Sequence, residues 1–343
     1  MRELLNVLYV MTQGSMLHLD HDTVRVQVDG ETRLQAPLLR LGGIVVFGQV
    51  SISPFLIQRC AEDGRNLVWL THSGHFRARV EGETRGNVLL RRAQHLALSD
   101  AARPCEVARQ MVAAKIQNSR LLLLRSARET SDRADQAALG EAAAHLAEVL
   151  VRLRDGRDLD EVRGAEGEAA RAYFEVLGRT IRVDREFFGP RGRTRRPPRD
   201  PANALLSFLY VLLRGECASA LEGVGLDPQV GYLHALRPGR PALALDLMEE
   251  LRPVLADRLA ITLLNRRQLK AEHFEVRPGG AVFLTEDGRR TLVVAYQRRK
   301  EEEVSHRVLK QKVPLGLVPH VQARLLARHL RGDLKDYPPF VHR

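Results

Sequence analysis

A histidine and three acids stand close together in the stretch that opens with Gly231-Tyr-Leu-His234 and runs past Pro238, Gly239 and Pro241 into Asp246-Leu-Met-Glu249-Glu250. Residues three and four apart in a helix project from one face, so Asp246 lies beside both Glu249 and Glu250, while Leu243, Leu245, Leu247, Met248 and Leu251 cover most of the remaining circumference. Crowded carboxylates repel one another unless something neutralises them. A divalent cation does so directly: hard oxygen ligands suit Mg2+ or Mn2+, and one imidazole in the set leans toward Mn2+. The same pattern is that of the solvated face of an amphipathic helix, with His234 an ordinary loop histidine. The stripe needs a partner from elsewhere in the chain.

Glu161-Val-Arg-Gly-Ala-Glu-Gly-Glu-Ala-Ala-Arg-Ala-Tyr-Phe174 offers one. Gly164 and Gly167 bracket Glu166 where a helix is expected to begin, and the small Ala169 and Ala170 let a neighbouring element approach closely. An acid near a helix N-terminus is explained by the helix dipole alone. Combined with His234 and the acidic stripe, Glu166 would complete a pocket of carboxylates and imidazole. Between the two stretches, Gly189-Pro-Arg-Gly-Arg-Thr-Arg-Arg-Pro-Pro-Arg199 holds Arg191, Arg193, Arg195, Arg196 and Arg199 among five helix breakers. It reads as an exposed, mobile loop, either a solubilising linker or a phosphate grip, for which arginine's fork is suited.

The overall charge favours the grip. Lys and Arg number 53 against 42 Asp and Glu, a net +11, so a polyanion such as nucleic acid is the expected partner. A hydrophobic fraction of 44% over 343 residues is enough for a substantial core and two domains. Three scattered cysteines support neither a disulfide framework nor a cysteine-rich zinc site. The first residues lack the pattern of a secretory signal, and the longest apolar runs, such as residues 204–213, are interrupted and too short for a bilayer. A cytoplasmic protein with no membrane association is expected.

The elements that must position these residues divide by period. Up to about residue 82, short β-branched runs such as Thr23-Val-Arg-Val-Gln-Val28 and Gly43-Ile-Val-Val-Phe47 alternate with turn signals, and a single helix begins at Ser53-Pro54. Residues 83–87 read as a linker. From residue 88 to 343 the spacing is helical, over 88–98, 105–126 and 136–154 first, with Lys115, Asn118 and Arg120 as solvated or phosphate-lining positions. Asp200 precedes Pro201 as the cap of a buried helix. A β-hairpin insertion is expected at about 273–296, a solvated helix face over the mixed charges of 297–312, a final helix over 313–330, and a frayed end. The fold class is α+β: a small N-terminal β-rich domain that pairs with another subunit, then a larger, mainly α-helical domain.

Glu166 in Gly164-Ala-Glu-Gly167, Gly231-Tyr-Leu-His234 and Asp246-Leu-Met-Glu-Glu-Leu-Arg-Pro253, together with Lys115-Ile-Gln-Asn118, Tyr173-Phe174 and Asn203-Ala-Leu-Leu-Ser-Phe-Leu-Tyr210, give the chain a likeness over nearly its whole length. It resembles the CRISPR-associated integrase of spacer acquisition, the universal endonuclease subunit of CRISPR adaptation. The Arg-Arg-Pro-Pro-Arg-Asp-Pro and Arg-Pro-Gly-Arg-Pro segments look most like the subtype I-C branch. The resemblance implies metal ligation by Glu166, His234 and Glu249, an active-site role for Asp246, and Glu250 at most behind the ligands. Some relatives carry aspartate where this chain has the longer Glu249. It further implies binding of double-stranded DNA, homodimers joined through the β domains, and two such dimers flanking a dimer of a small ferredoxin-like CRISPR-associated partner protein. The implied reaction is attack by the 3′ hydroxyl of a captured DNA fragment on a phosphodiester at the repeat border, with water as the alternative nucleophile. Two other readings remain: a metal-dependent nuclease on branched DNA or RNA that does not integrate, and a non-catalytic nucleic-acid-binding scaffold.

Overall fold

A computed structural model describes residues 5–72, 74, 76–80, 82–83, 88–100, 102–156, 158–190 and 192–342. Arg191 and residues 84–87 of the expected linker lie outside the described residues.

Two four-stranded sheets form the N-terminal part. Strands β1 (Asn6–Val10), β5 (Leu41–Phe47), β7 (Asn66–Leu70) and β8 (Phe76–Val80) stand side by side, the first three parallel and the last antiparallel. The second sheet orders β4 (Glu31–Pro37), β3 (Thr23–Val28), β2 (Met16–Asp20) and β6 (Ser51–Ile52). Helix α1 (Pro54–Glu62) is capped by the Ser53 side chain with Pro54 in its first turn. Leu17, Val24, Ile44, Val46, Leu56 and Leu67 make the core of this part. Strand period decides what the other face does: Val45, Phe47, Val68 and Leu70 point the opposite way and join the core of the helical part. There Phe47 stacks on Phe208, with ring centroids 5.8 Å apart.

Helix α2 (Val88–Leu96) leads into the long α3 (Ala102–Glu129), against which α4 (Arg133–Arg154) and α5 (Leu159–Val176) pack. Asp132 and Asp158 cap α4 and α5 by accepting from backbone N–H groups of the first turn. Helix α5 begins well before Glu166, so Glu166 sits two turns inside it, not at its N-terminus. Asp158, with Asp160 and Glu161 in the first turn, sets the start at Leu159, before Gly164 and Gly167, which are interior to the helix. The short α6 (Arg185–Phe188) precedes the basic loop.

Helix α7 (Pro201–Glu222), capped by Asp200, runs through the middle of the molecule. It is long and apolar enough to cross a bilayer, more so than its interrupted sequence implies, but here its apolar surface is spent on the core. Helix α8 (Ala242–Glu249), a π-helical stretch (Arg252–Asp257) and α9 (Arg258–Asn265) follow.

The C-terminal third departs from the sequence expectation at three places. The hairpin is confined to β9 (Phe274–Arg277) and β10 (Ala281–Leu284); α10 (Glu286–Glu301) replaces the rest of the 273–296 segment because Thr285 caps a helix at Gly288. The charged segment after it forms a second hairpin, β11 (Glu303–His306) with β12 (Gln311–Pro314), before α11 (Val318–Leu330). The end of the chain is packed, not frayed: Tyr337 and Phe340 are 1% and 3% exposed.

Candidate active site

Helix α8 is buried at every position but Leu245, so its acids are not a solvated face. Asp246, Glu249 and Glu250 are 0%, 2% and 0% exposed. Successive helical residues point about 100° apart, and this separates the three acids by task. Glu250 turns away from the other two and accepts from Tyr337, the Phe340 amide and Gln322. Burial pushes its carboxyl up to about 7, against those hydrogen bonds.

Asp246 organises the histidine. Its Oδ2 accepts from the Tyr232 and Leu233 amides at 2.6 and 3.0 Å, and its Oδ1 from the His234 amide at 3.0 Å. The same Oδ1 lies 2.6 Å from His234 Nδ1. A carboxylate oxygen only accepts, so Nδ1 carries the proton and the lone pair is left on Nε2. Nε2 points to Glu249, 3.7 Å from its Oε1. The approach needs a glycine: a Cβ at Gly231 would lie 2.6 Å from the Ala242 carbonyl carbon and 2.7 Å from Asp246 Oδ2.

Glu166 arrives from α5 on the same side. Lys115 of α3 contacts Glu166 Oε1 and lies 2.7 Å from Glu249 Oε2, so one ammonium joins the two carboxylates. Arg163, one turn before Glu166, donates to the Leu233 carbonyl at 2.9 Å and fixes α5 to the histidine loop. Glu249 Oε1 is held by Arg252 at 2.7 Å. Burial alone would raise the Glu249 carboxyl, but the Arg252 guanidinium and the Lys115 ammonium beside it outweigh that and hold it down at about 2.

The structure thus brings Glu166, His234, Asp246 and Glu249 together. Among the described residues, no three acids or imidazoles already stand at ligating distance from one point; Lys115 lies between two of them. Their chemistry nevertheless fits a divalent ion. Two carboxylates and an imidazole whose second nitrogen is fixed by a carboxylate are a usual donor set, and Lys115 at 2.7 Å from Glu249 Oε2 shows that a positive charge is accommodated between the carboxylates.

The described residues of the basic loop are tied down at two places. Arg193 lies over the rings of Phe174 and Tyr210, 5.8 and 5.4 Å from their centroids, and donates to Asn203 Oδ1 at 2.7 Å. The Val282 amide donates to the Pro198 carbonyl and ties the loop to β10. Arg195, Arg196 and Arg199 remain exposed. A cavity of about 40 Å3 between loop and site is lined by Lys115, Glu166, Tyr173, Arg193, Arg195 and Arg252.

A family model described as CRISPR associated protein Cas1 matches residues 8–298. A CRISPR-associated endonuclease Cas1 of Moorella thermoacetica is 56% identical over 343 residues, 100% of both chains. The chain belongs to the Cas1 family of CRISPR-associated endonucleases. Among solved structures, a casposase bound to integration product matches with TM-score 0.84 at 21% identity, over 99% of this chain and 95% of that one. A Cas6-RT-Cas1–Cas2 complex matches with TM-score 0.82 at 22% identity, over 98% of this chain and 36% of that one. At these identities the likeness is one of fold, and the fold is a Cas1 fold throughout.

Three contributors to this Cas1 site have roles that the sequence alone does not assign. Lys115 was read as a solvated or phosphate-lining position, yet it is 9% exposed; its apolar neighbours Val112, Ala114 and Ile116 were the available signal. Arg252 stands three residues after Glu249, the spacing of a helical ion pair. The third, the chain end that binds Glu250, carried no local signal.

Proposed function

We propose that this chain is a divalent-metal-dependent DNA endonuclease and integrase of CRISPR adaptation, with Glu166, His234 and Glu249 as metal ligands and Asp246 as the residue that orients His234. The convergence of these residues, from α5, the 231–234 loop and α8, carries the reading. Mg2+ or Mn2+ bound there would supply positive charge opposite the phosphate oxygens. The chain's own residues do the positioning. Asp246 keeps the Nδ1 proton of His234 in place and so keeps Nε2 available. Arg252 keeps Glu249 ionised and aimed. Arg195, with Arg196 and Arg199 on the outer loop, offers bidentate contact to a DNA backbone without reading sequence. In joining, a 3′ hydroxyl attacks the phosphodiester, one P–O bond forms and one breaks, and the displaced strand leaves as a 3′ hydroxyl.

Further features of the assembly belong to the same reading. The chain pairs as a homodimer through its N-terminal part, which exposes Met16, Leu34, Leu39 and Phe55. It works on double-stranded DNA with the small ferredoxin-like CRISPR-associated partner, in keeping with the complex named among its structural neighbours. It belongs to the subtype I-C branch, which its two Arg-Pro segments support, and acts in the cytoplasm, where its three free buried cysteines stay reduced.

Glu166→Ala and His234→Ala are expected to abolish Mn2+- or Mg2+-dependent cleavage and joining while DNA binding survives. Activity retained in a folded double variant defeats the proposal. A free 3′-hydroxyl donor with a supercoiled target separates an integrase from a plain nuclease, since only the former yields covalently joined product. A binding scaffold would show no metal-dependent turnover at all, only affinity falling with salt.

A further inference from the structure

Lys115 is placed where its charge needs an explanation. It lies on an otherwise apolar stretch of α3 at 9% exposure, and an ammonium at that depth requires partners. It has two, Glu166 and Glu249. Glu249 is already neutralised through its other oxygen by Arg252. Beyond helping Arg252 keep Glu249 ionised, the ammonium joins Glu249 Oε2 to Glu166, the gap that a metal held by these carboxylates would have to fill. A lysine head is a compact single charge on a flexible four-carbon stem, able to leave without moving its helix.

We propose that Lys115 is a tethered stand-in for the metal: it holds Glu166 and Glu249 together in the metal-free protein and competes with the divalent ion for them. Once displaced, it turns its ammonium to a DNA phosphate in the cavity it already lines with Arg193 and Arg195. The inference rests on the reading of this site as metal-binding. Two consequences follow from linkage. Metal affinity in the absence of DNA is lowered by the strength of the ion pairs that must first break. A backbone phosphate that draws Lys115 away raises metal affinity, and metal raises phosphate affinity by the same factor. A Lys115 that served only to stabilise the fold would show neither effect.

The test is Mn2+ titration of the full-length protein by calorimetry without DNA, comparing wild type, Lys115→Met and, as a control for the site, His234→Ala. Lys115→Met is expected to bind Mn2+ at least tenfold more tightly than wild type. Its metal-free form should melt lower than wild type and be raised further by Mn2+. Equal or weaker binding by Lys115→Met overturns the inference while leaving the metal site intact. Absence of any Mn2+ binding that His234→Ala removes, in wild type and Lys115→Met alike, overturns both the inference and the metal reading beneath it. A second measurement needs no variant. Amine-reactive labelling of wild type, read by mass spectrometry, should modify Lys115 faster at saturating Mg2+ than in chelator. Unchanged labelling at demonstrated saturation refutes displacement.

Discussion

Asp246→Asn probes the device on which the site depends, and its cost can be worked from the four hydrogen bonds the carboxylate accepts. Oδ2 serves the amides of Tyr232 and Leu233; Oδ1 serves the amide and Nδ1 of His234. An asparagine keeps one oxygen and replaces the other with a donor. If the new amide nitrogen faces Tyr232 and Leu233, two buried N–H groups lose their acceptor. If it faces His234, the backbone amide is lost, and Nδ1 must become an acceptor, which moves the proton to Nε2 and abolishes its lone pair. The first case removes two charge-assisted bonds and the second removes one and leaves the other neutral and reversed, at about 1.5–3 kcal/mol for each bond lost, so the cost is about 2–4 kcal/mol at a site of 0% exposure. Urea unfolding should show that loss, and calorimetry should show Mn2+ affinity falling with it. The two readouts distinguish the causes: a variant as stable as wild type, with unchanged Mn2+ affinity, would mean that Asp246 does not set the tautomer or hold the loop.

Three other outcomes follow from the structure. Phe340→Ala should cost about 3–5 kcal/mol in urea unfolding, because its ring is buried and stacked near His306 while its amide holds Glu250; a loss below about 1 kcal/mol would mean the chain end is only loosely docked. Burial pushes the Asp257 carboxyl up to about 6, against hydrogen bonds from Tyr210 and Tyr173. The folded protein then keeps a proton that the unfolded chain, at about 3.9, has lost. This group's contribution to stability therefore falls by about 3 kcal/mol as pH rises from about 4 to about 6, and the wild-type urea midpoint should decline across that window relative to Asp257→Asn. Arg195→Ala and Arg196→Ala should each reduce the slope of log affinity for DNA against log salt by about 0.9 with stability unchanged. Arg193→Ala should instead lower stability by about 2 kcal/mol through its two rings and Asn203; the reverse pattern would reassign the loop.

Much of the site was legible because its residues lie in runs with helical spacing. Asp246 and Glu249 are three apart, so their common side follows from 3.6 residues per turn, and Gly231 before His234 marks a backbone that must come close to something. The same arithmetic misled for Glu250, since 40° from Asp246 in projection is also 100° from Glu249, enough to place it against Gln322 and the chain end. The solvated-face reading failed for a different reason: whether an acid on a helix is wet depends on what packs over it, and α3, α7 and α11 pack against α8 and bury its acids.

Composition and periodicity by themselves determined the α+β order of elements, the capped starts of α1 and α7, the positive surface charge and the short list of acids and imidazole with metal-like chemistry, because each of these depends on neighbours within a few residues. Only the tertiary structure decided that Lys115, 51 positions from Glu166, stands between it and Glu249, that Arg193 is gripped while Arg195 is free, and that the last residues close over Glu250. Those outcomes rest on contacts between segments far apart in the chain, and no local spacing encodes which two surfaces will be pressed together once the core is filled.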